Sequence, residues 1–421
     1  MPEPLFSANW YRAAELMPRL RGHARIQRHI YRGEPWYVLE DVANQRVHRF
    51  TPAAHSVIGL MDGQRTLQEI WEVAVETLGD DAPSQDEMIR LLAQLHSADV
   101  LQCDVPPDTV ELLERYEKRE RQQLMQRLMS PFAIKIPLID PDAFLVRTAP
   151  LVRPFLSWAG AALWLVVVLP ALFLVGVHWN ELTEGVIDQI LAPQNLVLIY
   201  LLFPVIKAVH EFGHGYAARL LGGEVHDMGV MLLVFTPVPY VDASSASAFP
   251  EKRQRALVAG AGMIVEVFIA ALAFYVWLAA EPGVVRTLAY NAMLIAGVTT
   301  VTFNANPLLR FDGYYILADL IEVPNLRQRS NNYVGFLTER YAFGHREAEP
   351  VDADPAEKVW LVTFAVAAFL YRIVVIAFIM LFVFDISIVL GTVLAVVSAV
   401  GWIGKPLVKG LRALFTSARL R

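Results

Sequence analysis

Cysteine is almost absent from this chain: Cys103 is the only one among 421 residues. That excludes an intramolecular disulfide framework and a thiolate metal site, and leaves Cys103 as a small core residue. Charge is scarce as well, at 19% Asp, Glu, Lys and Arg against about 25% in an ordinary soluble domain. The net charge is -6, which argues against a large nucleic-acid surface. Near the start, Glu3, Glu15 and several arginines stand where a signal peptide would carry an apolar core. No cleavable signal is therefore expected, and the first membrane span is expected to serve as the targeting signal.

What the chain has in excess is apolar sequence, 55% of it, concentrated after Pro150. Six runs there, 155–177, 194–218, 254–280, 284–304, 359–384 and 386–405, approach or exceed the roughly 20 residues that cross a bilayer. Arg147, Arg153, Lys252, Arg253 and Arg255 precede odd-numbered spans, and the basic tail Lys405–Arg421 follows the sixth. The 180–189 connection carries only acidic charge. The positive-inside rule then places both termini in the cytoplasm, as expected for a multi-pass protein of the inner (cytoplasmic) membrane. Segment 220–250 is apolar in its middle but broken by Pro237, Pro239 and Asp242. It is expected to be re-entrant, shielded from lipid by protein. The fold class is thus a polytopic α-helical membrane protein, six transmembrane helices with a re-entrant segment, carrying a cytoplasmic winged-helix-like α+β domain.

That front domain occupies residues 1–107. Strands are expected at 25–31, 36–41 and 45–50. Thr51–Pro52 reads as a helix cap with proline in the first turn, and Thr66 followed by Glu69 as a capping box. A third helix runs from Ser84 to His96, and 99–104 closes the unit as a short strand. His23, His29, His48, His55 and His96 share no ligand spacing and read as surface or helix histidines. Residues 108–150 form a linker. Within it 108–130 is a charged amphipathic helix, either lying on the membrane or solvated, and 131–144 is an extended, Pro-punctuated piece at the membrane edge. The membrane domain covers 151–421.

The chemistry concentrates in VIKAVHEFGHGYAARL, residues 205–220. His210 and His214 are four apart, so a helix stacks them on one face. H-E-x-x-H on a helix is a zinc metallopeptidase pattern, with Glu211 as general base. Ionisable groups inside an apolar span are costly and usually functional. Catalytic zinc takes three protein ligands, and FNANPLLRFDGYY, 303–315, delivers Asp312 to the same membrane face at the end of the fourth span. Gly313 beside it is expected to permit a tight turn that aims the carboxylate. Asp242 is open among ligand, support of a histidine, and turn cap; His226 reads as interfacial. Glu266, deep in the third span, needs a partner, with an arginine, an asparagine or a functional cavity all open. Gly260 and Gly262 read as helix-packing positions.

His210-Glu211-x-x-His214 together with Asn304, Pro307, Asp312 and Gly313 resembles the site-2 protease family of intramembrane zinc metallopeptidases, over residues 194–320. The resemblance implies Zn2+ held by His210, His214 and Asp312, and Asn304 helping to hold substrate or backbone near the metal. The strands and helices of 24–104 resemble the PqqD-like peptide-recognition domain, which implies capture of a leader peptide along a strand edge. No PDZ-like insert separates the second and fourth spans, so recognition would fall to this front domain.

The expected function is therefore a zinc-dependent endopeptidase in which Glu211 moves the proton of the attacking water. Its partners would be a peptide or membrane-protein substrate, the lipid bilayer, and secretion or peptide-modification proteins; nucleic acid is not among them. A non-proteolytic accessory factor for peptide maturation, secretion or efflux, with a structural or vestigial metal site, is the alternative. A metal transporter would want ligands spread over more spans than this chain provides. The 316–357 region reads as a loop ending in an acidic connector or partner site.

Overall fold

The computed structural model describes residues 6–7, 10–31, 33–41, 46–103, 133–233, 236–342, 353–389 and 391–392. The charged stretch 108–130 and most of the expected sixth span, 386–405, lie outside the described residues, as does 346–352 of the acidic connector. The chain divides into two compact units, Met1–Glu322 and Val323–Arg421.

The first unit begins with a short strand β1 (Pro18–Leu20) and an antiparallel meander of β2 (Ala24–Tyr31), β3 (Glu34–Asp41) and β4 (Arg46–Phe50). Three helices follow, α1 (Pro52–Gly59), α2 (Leu67–Leu78) and α3 (Gln85–Ser97), before β5 (Leu101–Cys103) returns to pair with β1. The helix starts obey the capping chemistry of the sequence. The Thr51 hydroxyl accepts from the Ala54 amide, and Thr66 with Glu69 and Ser84 with Glu87 close reciprocal capping boxes. Each such cap contributes about 1 kcal/mol by satisfying donors the helix leaves open. Leu39, Val57, Leu67, Ile70, Met88 and Leu95, all with no exposed surface, fill the core between the helices and the sheets.

Among the described residues, five helices are long and apolar enough to cross a membrane. Four are in the first unit: α5 (Trp158–Val177), α6 (Pro193–Leu220), α7 (Lys252–Ala279) and a span from Val284 to Asn304 that begins as α8 (Val284–Met293). The short helix α4 (Asp142–Val152) precedes them. Large apolar side chains such as Val166, Phe173, Leu201 and Val301 stand exposed on these helices, the pattern of a helical membrane protein. Helix α7 is the hub and packs on α5, α6 and α8. Small residues allow this: a Cβ on Gly213 would sit 3.1 Å from the Ala261 carbonyl oxygen, so the α6 and α7 backbones meet closely there.

Beyond Met293 the fourth span continues in wider, π-type turns, Leu294–Val298 and Thr300–Asn304. Such turns recur at functional sites. A loop then leads to α9 (Asp312–Leu320), which packs on α7.

The broken segment after α6 forms a hairpin of β7 (Met228–Leu233) and β8 (Thr236–Val241). Its inner strand β7 pairs with β6 (Ala133–Ile139), the extended piece read at the membrane edge, giving an antiparallel sheet in the order β6-β7-β8. The front domain also touches the turn that follows: β4 packs on Ser244–Ala248.

In the second unit, α10 (Leu326–Leu337) packs on α11 (Pro355–Ile386), which contains the fifth apolar span. Arg329 and Glu357 join them by an ion pair of 2.6 Å.

Candidate metal centre

Helix α6 stacks His210 and His214 one turn apart, and both rings are buried. Their Nε2 atoms face each other at 3.0 Å. Asp312, the first residue of α9, brings Oδ2 to 3.1 Å from His210 Nε2 and 3.5 Å from His214 Nε2. Among the described residues this trio is the one group of three His, Cys, Asp or Glu side chains able to share a metal ion.

The donor chemistry fits a cation. His214 Nδ1 lies 2.7 Å from the Val258 carbonyl oxygen. A carbonyl only accepts, so Nδ1 carries the proton and Nε2 presents its lone pair. Asp312 Oδ2 is buried and makes no hydrogen bond of good geometry. With His210 also presenting its Nε2 lone pair, three donor atoms converge on one buried space, an arrangement that a cation satisfies. Space is kept for it as well. A Cβ on Gly262 of α7 would fall 2.5 Å from His214 Nε2 and 2.6 Å from His210 Nε2. Glycine at 262 is therefore more than a helix-packing position: it leaves the two ligand nitrogens uncovered.

Gly313 serves the site by a different route from the one expected. Its φ is not among the positive values of the described glycines. A Cβ there would come within 2.5 Å of the Ala305 carbonyl oxygen and 2.9 Å of the Asn304 one. Glycine is required because the start of α9 packs on the end of the fourth span, and that contact carries Asp312 to the histidines.

Glu211 accepts a hydrogen bond from the Val241 amide at 3.0 Å. It lines, with His214, Asp312, Ser244, Ser247 and Tyr315, a cavity of about 430 Å³. The same cavity is walled by a half-buried ion pair, with Arg255 Nε donating to Asp319 at 2.9 Å. Burial raises Asp319 above the usual carboxylate range even with Arg255 beside it.

The hairpin meets this cavity through β8, which among the described residues has a strand neighbour on one side only. The Val241 amide points away from β7 to Glu211, and the Asp242 amide points back to Asp227 at 2.8 Å. By the alternation of a strand, positions 237, 239 and 241 address the open edge. Two of these are prolines and the third is engaged by Glu211, so the open edge of β8 offers carbonyl acceptors and no amide donor at these positions.

The remaining expected residues sort as follows. Asn304 lies near the histidines through Glu266, to which its side-chain amide donates at 3.1 Å. Asp242 accepts from the Ser244 amide at 3.0 Å and caps a turn. His226 is exposed and bonded to Asp140 and Glu224. Glu266 has Lys207 as its charge partner, 2.6 Å away, rather than an arginine. His29, read as a surface or helix histidine, is instead buried in strand β2, where Ala248 lies beside it.

The sequence reading did not include Lys207 or the Val258 carbonyl, and gave Gly262 a packing role alone. Lys207 had a signal, since a lysine and a glutamate in separate apolar spans invite pairing. Gly262 and the carbonyl had none, because each acts through backbone proximity. No protein-family model, no curated protein and no solved structure matches this chain.

Proposed function

We propose that this chain is a zinc-dependent intramembrane endopeptidase of the site-2 protease type, hydrolysing a peptide bond of a membrane-associated or leader-bearing peptide. The reading is carried by one observation: His210, His214 and Asp312 converge at the end of an apolar helix, and Glu211 shares a cavity with His214 and Asp312. The wider description belongs to the same proposal. It comprises six spans in the inner membrane, both termini cytoplasmic, a re-entrant hairpin at 228–241, and a winged-helix-like PqqD-type front domain that recruits substrate.

His210 and His214 would hold the ion through Nε2, and Asp312 through Oδ2. Zinc in such a set supplies Lewis acidity toward a carbonyl and a water. Glu211 takes the proton from the water as its oxygen attacks the peptide carbonyl carbon. The carbon–nitrogen bond then breaks, and Glu211 hands that proton to the departing amine. The Val241 amide fixes the carboxylate for this exchange. An extended substrate laid along β8 would donate its amides to the Pro237 and Pro239 carbonyls and pass the general base.

Co-expression of the full chain with a library of leader-bearing and single-span peptides tests the proposal, comparing wild type with Glu211→Gln. Cleavage by wild type alone, with equal zinc in both proteins, supports hydrolysis. Equal processing by both proteins contradicts it, and favours an accessory role.

A further inference from the structure

Glu266 is fully buried in the apolar helix α7, and it gathers groups from two other helices. Its Oε1 takes the Lys207 ammonium at 2.6 Å. Its Oε2 accepts from the Asn304 amide at 3.1 Å and from the Thr300 hydroxyl. Lys207 also reaches the Thr299 hydroxyl at 3.3 Å. The same Oε2 lies 3.2 Å from His210 Nδ1. That nitrogen is buried, and the contact is close without the alignment of a full hydrogen bond.

A bare ion pair would be satisfied by Lys207 and Glu266 facing each other. Here the carboxylate receives two further donors and is turned toward a histidine. Lys207 and His210 are three apart on α6, so they share a face and can address one carboxylate. The π-type turns of the fourth span bring Thr300 and Asn304 to its other oxygen. Every donor around Glu266 narrows the positions its Oε2 can take.

We infer that Glu266 is a positioning residue for the metal centre, and that Lys207 is its built-in counter-charge. The inference rests on the reading of His210, His214 and Asp312 as a metal site. Glu266 holds the Nδ1 side of His210, so that Nε2 keeps its lone pair aimed at Asp312 and His214. The two ligand histidines are then oriented differently: His214 by a neutral carbonyl, His210 by a carboxylate. A carboxylate behind a ligand imidazole strengthens it as a donor, and removing such a partner typically costs about 10- to 100-fold in metal affinity. Lys207 keeps the carboxylate from standing as an unpaired charge in an apolar setting.

The test uses the full chain in detergent, stripped with a chelator and titrated with Zn2+ against a chromogenic competitor. Glu266→Gln and the charge-neutral pair Lys207→Met/Glu266→Gln are compared with wild type and with His210→Ala. Both Glu266 variants are expected to bind Zn2+ about 10- to 100-fold more weakly. Wild-type affinity in the double variant overturns the inference, because the pair would then serve folding alone. Should neither variant fold, Thr300→Val, which removes one hydroxyl from the carboxylate at equal volume, carries the test: weaker binding supports the inference and unchanged binding overturns it. If wild type binds Zn2+ no better than His210→Ala, the metal-site reading itself fails and the inference with it. If wild type binds and the Glu266 variants match it, the inference alone fails.

Discussion

His214 Nδ1 donates to the carbonyl oxygen of Val258, 2.7 Å away and 44 positions along the chain. The bond ties the metal-ligand helix α6 to α7, and it leaves Nε2 free as a lone-pair donor. It exists because Gly213 lets the two helices approach at Ala261. Geometry at the site thus depends on backbone contacts made within a few residues of it.

Gly262→Ala is expected to break the centre while leaving the span intact. The new methyl would press on both ligand rings, whose ε nitrogens lie 2.5 and 2.6 Å from its position. Alanine is otherwise the better helix former. Zinc affinity should fall at least about 10-fold, comparable to disturbing the support of a ligand, with the far-ultraviolet dichroism of wild type. Unchanged affinity would show that the rings stand elsewhere.

Chelation is expected to soften the protein as well as silence it. Zinc at about 100 times its Kd should stabilise the chain by about 2.7 kcal/mol, if the unfolded chain does not bind it. Thermal unfolding with and without zinc reads this difference. Asp312→Ala and His214→Ala should abolish it, since each leaves an incomplete donor set.

Acid is expected to loosen the contact between the front domain and the turn 244–248. His29 is held down from 6.5 to about 4, first by burial and then by the charges of Arg255 and Arg49. A histidine released from that packing binds a proton more readily than one in place. The stabilisation is therefore full above pH 6.5 and is lost as pH falls from 6.5 through 4. Hydrogen exchange in β2 and in 244–248 should accelerate over that window. His29→Gln should flatten the response.

Pro239→Ala is expected to improve substrate capture. It adds an amide donor to the open edge of β8, and one net hydrogen bond is worth about 0.5–1.5 kcal/mol. KM for a cleaved peptide should fall by roughly 2- to 10-fold with kcat unchanged. A fall in kcat alone would place the substrate elsewhere.

Much of the site was legible because its logic is periodic or local. His210 and His214 follow the helix repeat, and Asp312 was reachable because the fourth span runs in the same direction as the second. Thr51, Thr66 and Ser84 announced their helices through short-range caps, and the observed helices at 158–177, 193–220, 252–279, 284–304 and 355–384 follow the apolar runs. What the sequence hid depends on contacts between distant backbones. Gly262, Gly313 and Val258 matter through where their main chains lie, which no pattern of side chains records. The β6–β7 pairing joins Pro-punctuated segments some ninety positions apart. His29 gave no sign that a second part of the chain would cover it.

Hydrolysis itself is tested most directly by following oxygen. A peptide cleaved by the wild-type chain in water enriched in heavy oxygen should carry one heavy atom in its new carboxyl group. Glu211→Gln, loaded with the same amount of zinc, should give no product. Fragments without heavy oxygen, or equal labelled product from Glu211→Gln, would contradict the assignment of Glu211 as the base of a hydrolytic centre.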